Sequence, residues 1–244
     1  MTGVDPGSAR SYPGVPGAVP AYTPAFAPYS GPGSAPRSRA PRSERSQLWL
    51  RSAIIMAGLV ALLYVIEAID QLGGNHLDDD GIVSREADGL PGVFFSPFLH
   101  HGFDHLTSNA LVGAVLGFLL LLARRFLVTT VIVWVVSGFG VWLFGPSHAV
   151  TIGASGIIFG WLAFLLVRGL FNRSWRQIGL GLLLFVVYGS VLWGLLPGQD
   201  GVSWQAHLFG AVGGVLAAAL LAGRDRRDKS APASVSPGFP PVAR

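Results

Sequence analysis

A serine, two histidines and an asparagine have the types and spacing to do chemistry in this chain. Ser155 lies in Gly153-Ala154-Ser155-Gly156, where a breaker-rich stretch, Gly145-Pro146-Ser147-His148, gives way to an apolar run from Ile157 to Leu170. A serine opening a helix keeps its backbone N–H among the unpaired donors of that terminus, which suits it to hold an oxyanion. The plainer reading of the same residues is an N-cap serine with glycines serving the turn and the packing. What the rest of the chain brings near Ser155 decides between the two. His207 falls one turn into a later apolar run and could take the serine proton and return it to a leaving amine. His105 and Asn109 are four apart, hence on one helix face. Their side-chain donors could join the Ser155 N–H around a tetrahedral oxyanion. The chemistry these types support is acyl transfer.

No carboxylate falls inside an apolar run at the depth of His207, so a Ser–His dyad is expected rather than a triad. Asp104 precedes His105 but points to another face of its helix. Phe159, one turn below Ser155, could stack on the His207 ring or simply pack. Gly210 and Gly214 follow His207 at helical spacing, and Gly160 follows Gly156. Small residues in those places let two helices approach closely, as a hydrogen bond between them requires.

The elements that must position these groups are membrane helices. Of the 244 residues, 51% are hydrophobic and only 12% charged, too few charges to cover a soluble surface. Apolar runs of bilayer-spanning length are expected at about 48–69, 104–123, 127–144, 155–171, 176–196 and 204–222, giving an all-α bundle of six transmembrane helices. Arginines gather before the first run, at Arg124 and Arg125, at Arg168, Arg173 and Arg176, and at Arg224, Arg226 and Arg227. With alternating spans all of these share one side, and only Arg85 falls opposite. The positive-inside rule then puts both termini in the cytoplasm of a multi-pass protein of the cell membrane. His105, Asn109, Ser155 and His207 all come near the outer starts of their helices, at one depth.

Residues 1–46 are rich in Pro, Gly and Ser and read as a disordered cytoplasmic tail, 47–226 as the membrane domain, and 227–244 as a second disordered tail. The loop at about 71–103 is the longest connection. Its end, Val93 to Leu99, is apolar but interrupted by proline, which suits a segment lying partly in the membrane interface. The net charge of +4 would suit nucleic acid, but the arginines sit where a bilayer needs them, so the expected partner is lipid and not nucleic acid. With no cysteine, disulfides and thiol chemistry are excluded. His100, His101 and His105 could be imagined as metal ligands, but no HExxH-type carboxylate accompanies them, so neither metal nor cofactor is expected.

With these residues in view, the membrane domain resembles the rhomboid intramembrane serine proteases. Their nucleophile motif GxSG appears as Gly153-Ala154-Ser155-Gly156, and their catalytic histidine with following glycines as His207, Gly210 and Gly214. Their HxxxN motif appears as His105 to Asn109. A family histidine five residues earlier matches His100, and the resemblance gives it the part of holding the loop or a water. By resemblance the protein is a serine endopeptidase that cuts single-pass membrane proteins in or near their transmembrane segments. The resemblance implies Ser155 as nucleophile, His207 as general base and acid, and His105, Asn109 and the Ser155 N–H as oxyanion hole. Two departures stand out: the first loop lacks the family's Trp-Arg pair, and Phe159 replaces the usual tyrosine. The reading from another class is a non-catalytic binder of membrane helices that shares fold and groove. A transporter would need broken helices in paired halves, and a soluble hydrolase elbow would need GxSxG after a strand. Neither pattern is present.

Overall fold

The computed structural model describes residues 43–230, with side chains to 222. Most of both expected tails lies outside the described residues. Helix α1 (Glu44–Gly73) begins three residues inside the N-terminal stretch assigned to a tail. The Ser43 side chain accepts from the Ser46 N–H at its start, and Glu44 places a negative charge in the first turn. Gly74, at φ 91°, ends it in the left-handed conformation that glycine adopts without penalty.

The connection that follows is structured. It holds strand β1 (Ile82–Val83), a one-turn helix α2 (Gly92–Phe95) and short 3₁₀ turns. Next come α3 (Phe103–Leu122), α4 (Phe126–Phe144), strand β2 (Val150–Thr151), α5 (Ser155–Phe171), α6 (Trp175–Tyr188) and α7 (Trp204–Ser230). Each expected span range falls on one of the six long helices. The range 176–196 is not uniform, however: regular helix stops at Tyr188 and Gly189–Leu195 continues as 3₁₀. At the other end α7 is described through Ser230, four residues into the expected C-terminal tail. Among the described residues five helices, with α6 counted together with its 3₁₀ extension, are long and apolar enough to cross a membrane, and α5, of 17 residues, is shorter.

That short helix is the centre of the bundle. Twelve of its seventeen residues are buried, and it packs on α3, α4, α6 and α7. Leu162, Phe164 and Leu165 meet Leu116 and Leu120 of α3, Val133 of α4 and Ala217 of α7 in one core. Glycines set the closest approaches. A Cβ on Gly210 or Gly214 would collide with the backbone carbonyl of Gly156 or Gly160, so α5 and α7 are in contact backbone to backbone.

The long loop is fastened to α4. The Trp134 indole donates to the Val93 carbonyl at 2.6 Å, and the Trp142 indole to the Glu86 carbonyl at 2.9 Å. Arg85 donates to the carbonyls of Leu143 and Gly145 at 3.2 and 3.0 Å, satisfying acceptors that the end of α4 leaves open. These anchors occupy a loop whose Trp-Arg pair is missing. Strand β1 pairs antiparallel with β2, Ile82 opposite Thr151 and Val83 opposite Val150. The loop is thereby tied to the segment that leads into Ser155.

Candidate active site

The N-termini of α3, α5 and α7 open into one cleft of about 850 Å³, bordered by His105, Asn109, Ser155, Phe159 and His207. The turn into α5 sets its geometry. Gly153 sits at φ 115°, a conformation that L side chains rarely adopt. Its N–H donates to the Ser96 carbonyl at 2.8 Å. A Cβ there would come within 2.9 Å of the His105 ring and 3.7 Å of Asn109 Nδ2, so this glycine is where GxSG meets HxxxN. Ala154 occupies the N-cap place, with no side-chain cap. Ser155 is the first helical residue, so the capping role considered for it is not the one it fills. Its hydroxyl forms no hydrogen bond with the described residues, and its N–H is one of the helix's opening donors.

His207 is buried at 7% exposure and doubly held. Its ring lies flat on Phe159, centroids 3.9 Å apart and planes 8° from parallel. Its Nδ1 is 2.8 Å from the Gly194 carbonyl oxygen. A carbonyl can only accept, so Nδ1 carries the proton and Nε2 keeps a lone pair. No hydrogen bond joins His207 to Ser155; the two side chains border the same cleft from different helices. The backbone beneath His207 is pinned as well. Ser203 Oγ accepts the Ala206 N–H at 3.3 Å, and Ser137 on α4 donates to the Ala206 carbonyl at 2.9 Å.

Asn109 is buried, and its Nδ2 has no hydrogen-bond partner among the described residues. An unpaired buried amide donor is costly in a native fold and asks for an explanation. Here the residue borders the cleft. His105 packs against both neighbouring histidines, edge-on to His100 at 5.2 Å and stacked on His101 at 6.2 Å. His101 is itself exposed and paired with Asp78 at 3.2 Å. Asp104 is exposed and does not border the cleft.

His100 is 1% exposed, and its Nε2 accepts the Ala154 N–H at 3.4 Å, bracing the turn before Ser155. Burial, and then the neighbouring His105, lower its pKa from 6.5 to about 4. The unfolded chain therefore binds a proton that the folded chain refuses as pH falls from 6.5 towards 4. Stability carried by neutral His100 is complete above that window and is lost on descending through it. His100→Gln, which keeps an acceptor for Ala154, is expected to show a smaller fall in thermal midpoint than the wild type between neutral pH and pH 4, as read by unfolding in detergent at a series of pH values.

Gly194, Ser137, Ser203 and the tryptophan anchors of the loop were not singled out from the sequence, and Arg85 was noted only for lying opposite the other arginines. Gly194 acts through its carbonyl, a group every residue has. Ser203, a serine just before an apolar run, carried a readable cap signal.

A bundle of apolar helices around a polar cleft defines a multi-pass membrane protein. Residues 88–224 match the Rhomboid domain, and the chain belongs to the rhomboid family. It is 47% identical over 206 residues to an uncharacterized protein of Mycobacterium tuberculosis, covering 80% of this chain and 86% of the relative. An uncharacterized protein of Mycobacterium leprae is 43% identical over 201 residues, 77% of this chain and 78% of the relative. No solved structure matches significantly.

Proposed function

We propose that the protein is an intramembrane serine endopeptidase that cleaves transmembrane segments of single-pass membrane proteins by a Ser155–His207 dyad. The observation that carries this reading is the convergence of Ser155, His207, His105 and Asn109 on one cleft with His207 already in the tautomer that a base requires. Family membership supports it, because the rhomboid family generally contains such proteases.

In this reading six helices span the cell membrane with both termini cytoplasmic, as the arginine distribution favours. The short α5 then explains how water reaches the site. Its 17 residues extend about 25 Å at 1.5 Å each, less than the roughly 30 Å hydrocarbon core, so its N-terminus ends in a polar depression below the outer surface. A substrate helix shields its own carbonyls and must unwind locally into that depression. Substrate binding brings Ser155 and His207 into hydrogen-bond reach, as catalytic contacts commonly tighten only in the complex. His207 Nε2 takes the Ser155 proton as Oγ attacks the scissile carbonyl. Asn109 Nδ2, His105 and the Ser155 N–H hold the oxyanion. His207 protonates the leaving amine, and water then releases the acyl-enzyme.

A fluorophosphonate probe tests the reading: wild type should be labelled and Ser155→Ala should not. An unlabelled wild type that still retains membrane helices would instead favour the non-catalytic binder. Asn109→Ala is expected to lower kcat about 10²-fold, the lower end of what losing one oxyanion donor costs, because two others remain. It should leave the thermal midpoint nearly unchanged, since Nδ2 has no partner to lose.

A further inference from the structure

We propose that the 3₁₀ extension of α6 positions the catalytic base: the Gly194 carbonyl fixes the tautomer and orientation of His207, and Gln199, bonded to the adjoining Trp193 carbonyl, steadies the segment that carries it. The inference rests on the protease reading above and names how its base is positioned without a carboxylate.

Three observations converge on this segment. His207 Nδ1 meets the Gly194 oxygen at 2.8 Å, and the acceptor is a carbonyl near a helix C-terminus, where intrahelical donors run out. Gly194 also lies against the ring itself, because a Cβ there would come within 2.9 Å of His207 Nδ1 and 3.0 Å of the Phe159 ring. Only glycine brings its carbonyl this close without displacing either ring. Finally, apolar packing holds the segment only in part: Leu192 rests against the core, but no residue of Gly189–Leu195 is fully buried. Gln199 adds a polar tie: its Nε2 donates 2.8 Å to the carbonyl of Trp193, the neighbour of Gly194.

The chemical role follows. With Nδ1–H given to Gly194, the Nε2 lone pair is the one available for the Ser155 proton. When that proton arrives, the ring becomes a cation whose Nδ1–H bond to Gly194 is charge-assisted and stronger. The partial negative charge at a helix C-terminus favours the same cation. A buried aspartate does these two things in a serine triad. Here a backbone carbonyl and a glutamine tether share them.

Nitrogen NMR of ring-labelled histidine in the full-length protein in bilayers, with His207→Ala to assign the resonance, reads the tautomer directly. Wild type should show Nδ1 protonated and Nε2 bare. Gln199→Ala should mix the tautomers and lower kcat about tenfold with KM held, the loss expected when a catalytic group is loosened by a fraction of an ångström. Gln199→Lys, which keeps a donor, should recover most of both readouts. Gly194→Ala should lower kcat further, about 10²-fold, by pushing the ring aside. A bare Nδ1 in wild type overturns the proposal, as does a Gln199→Ala protein with unchanged tautomer and kcat. Since the tautomer is also readable in Ser155→Ala, a failure of the protease reading would show as turnover independent of Ser155 and leave the ring result standing.

Discussion

Ser155→Ala, reconstituted in bilayers with a fluorogenic transmembrane substrate, is expected to lose turnover by on the order of 10⁴–10⁶-fold while still binding that substrate. In the proposed reaction its hydroxyl forms the acyl bond, and removing that oxygen leaves the oxyanion donors and the binding surface. His207→Ala should be comparably inert, since in the proposed dyad His207 is the group that takes the serine proton. The double variant should be no worse than either single one. Residues that act as a unit are lost as a unit, and their effects do not add. Alanine at Ser155 should not lower the thermal midpoint, because its hydroxyl makes no hydrogen bond that the fold depends on and Ala154 holds the N-cap place. A folded Ser155→Ala protein that cleaves at the wild-type rate would remove the dyad from the account. Additive losses in the double variant would show that the two residues work separately.

The groups of the cleft were legible in the sequence for a physical reason. Polar side chains inside apolar helices are costly, so His105, Asn109, Ser155 and His207 stand out against their surroundings. The glycines were legible too: Gly153 by the turn it must make, Gly210 and Gly214 by their helical spacing after the histidine. Helix starts came through within four residues because apolar length is a strong signal, but α7 runs eight residues past its expected end and regular α6 stops eight short of its own. The groups that hold the cleft together were not. Gly194 works by a carbonyl and a missing Cβ, neither of which distinguishes it from other glycines before the fold is known. Arg85, Trp134 and Trp142 fasten the first loop through bonds from side chain to backbone across more than forty residues, a pairing that only tertiary structure creates. The β1–β2 pair is two residues long on each side, too short for an alternating pattern to show. The 3₁₀ end of α6 has the same apolar composition as the regular helix before it, so hydropathy runs through the change without marking it.

Close packing of α5 on α7 yields the other large effect. A Cβ on Gly210 would meet the Gly156 carbonyl at a separation no real contact allows, and would lie 3.2 Å from the Gly156 Cα. The obstruction is backbone, which cannot swing aside as a flexible side chain can, so the helices themselves must part. Gly156 directly follows Ser155, and Gly210 stands one turn beyond His207. A wedge here therefore pushes on the two residues of the proposed dyad, whose separation would decide proton transfer. Gly210→Ala is expected to cost about 1–3 kcal/mol of stability, the usual range for overpacking. Gly210→Val should cost more and reduce turnover on the order of 10³-fold or beyond, since even a 1 Å misplacement of catalytic groups costs about 10². Gly179 on α6 provides the contrast, because a Cβ there meets nothing within 4 Å. Gly179→Ala should leave activity intact and raise the thermal midpoint slightly, as alanine loses less backbone freedom than glycine on entering a helix. Thermal unfolding and kcat measured on all three variants separate the two kinds of glycine. If Gly210→Val kept the wild-type rate and midpoint, α5 and α7 would not be in the contact described, and His207 would not owe its place beside Ser155 to the glycines that follow it.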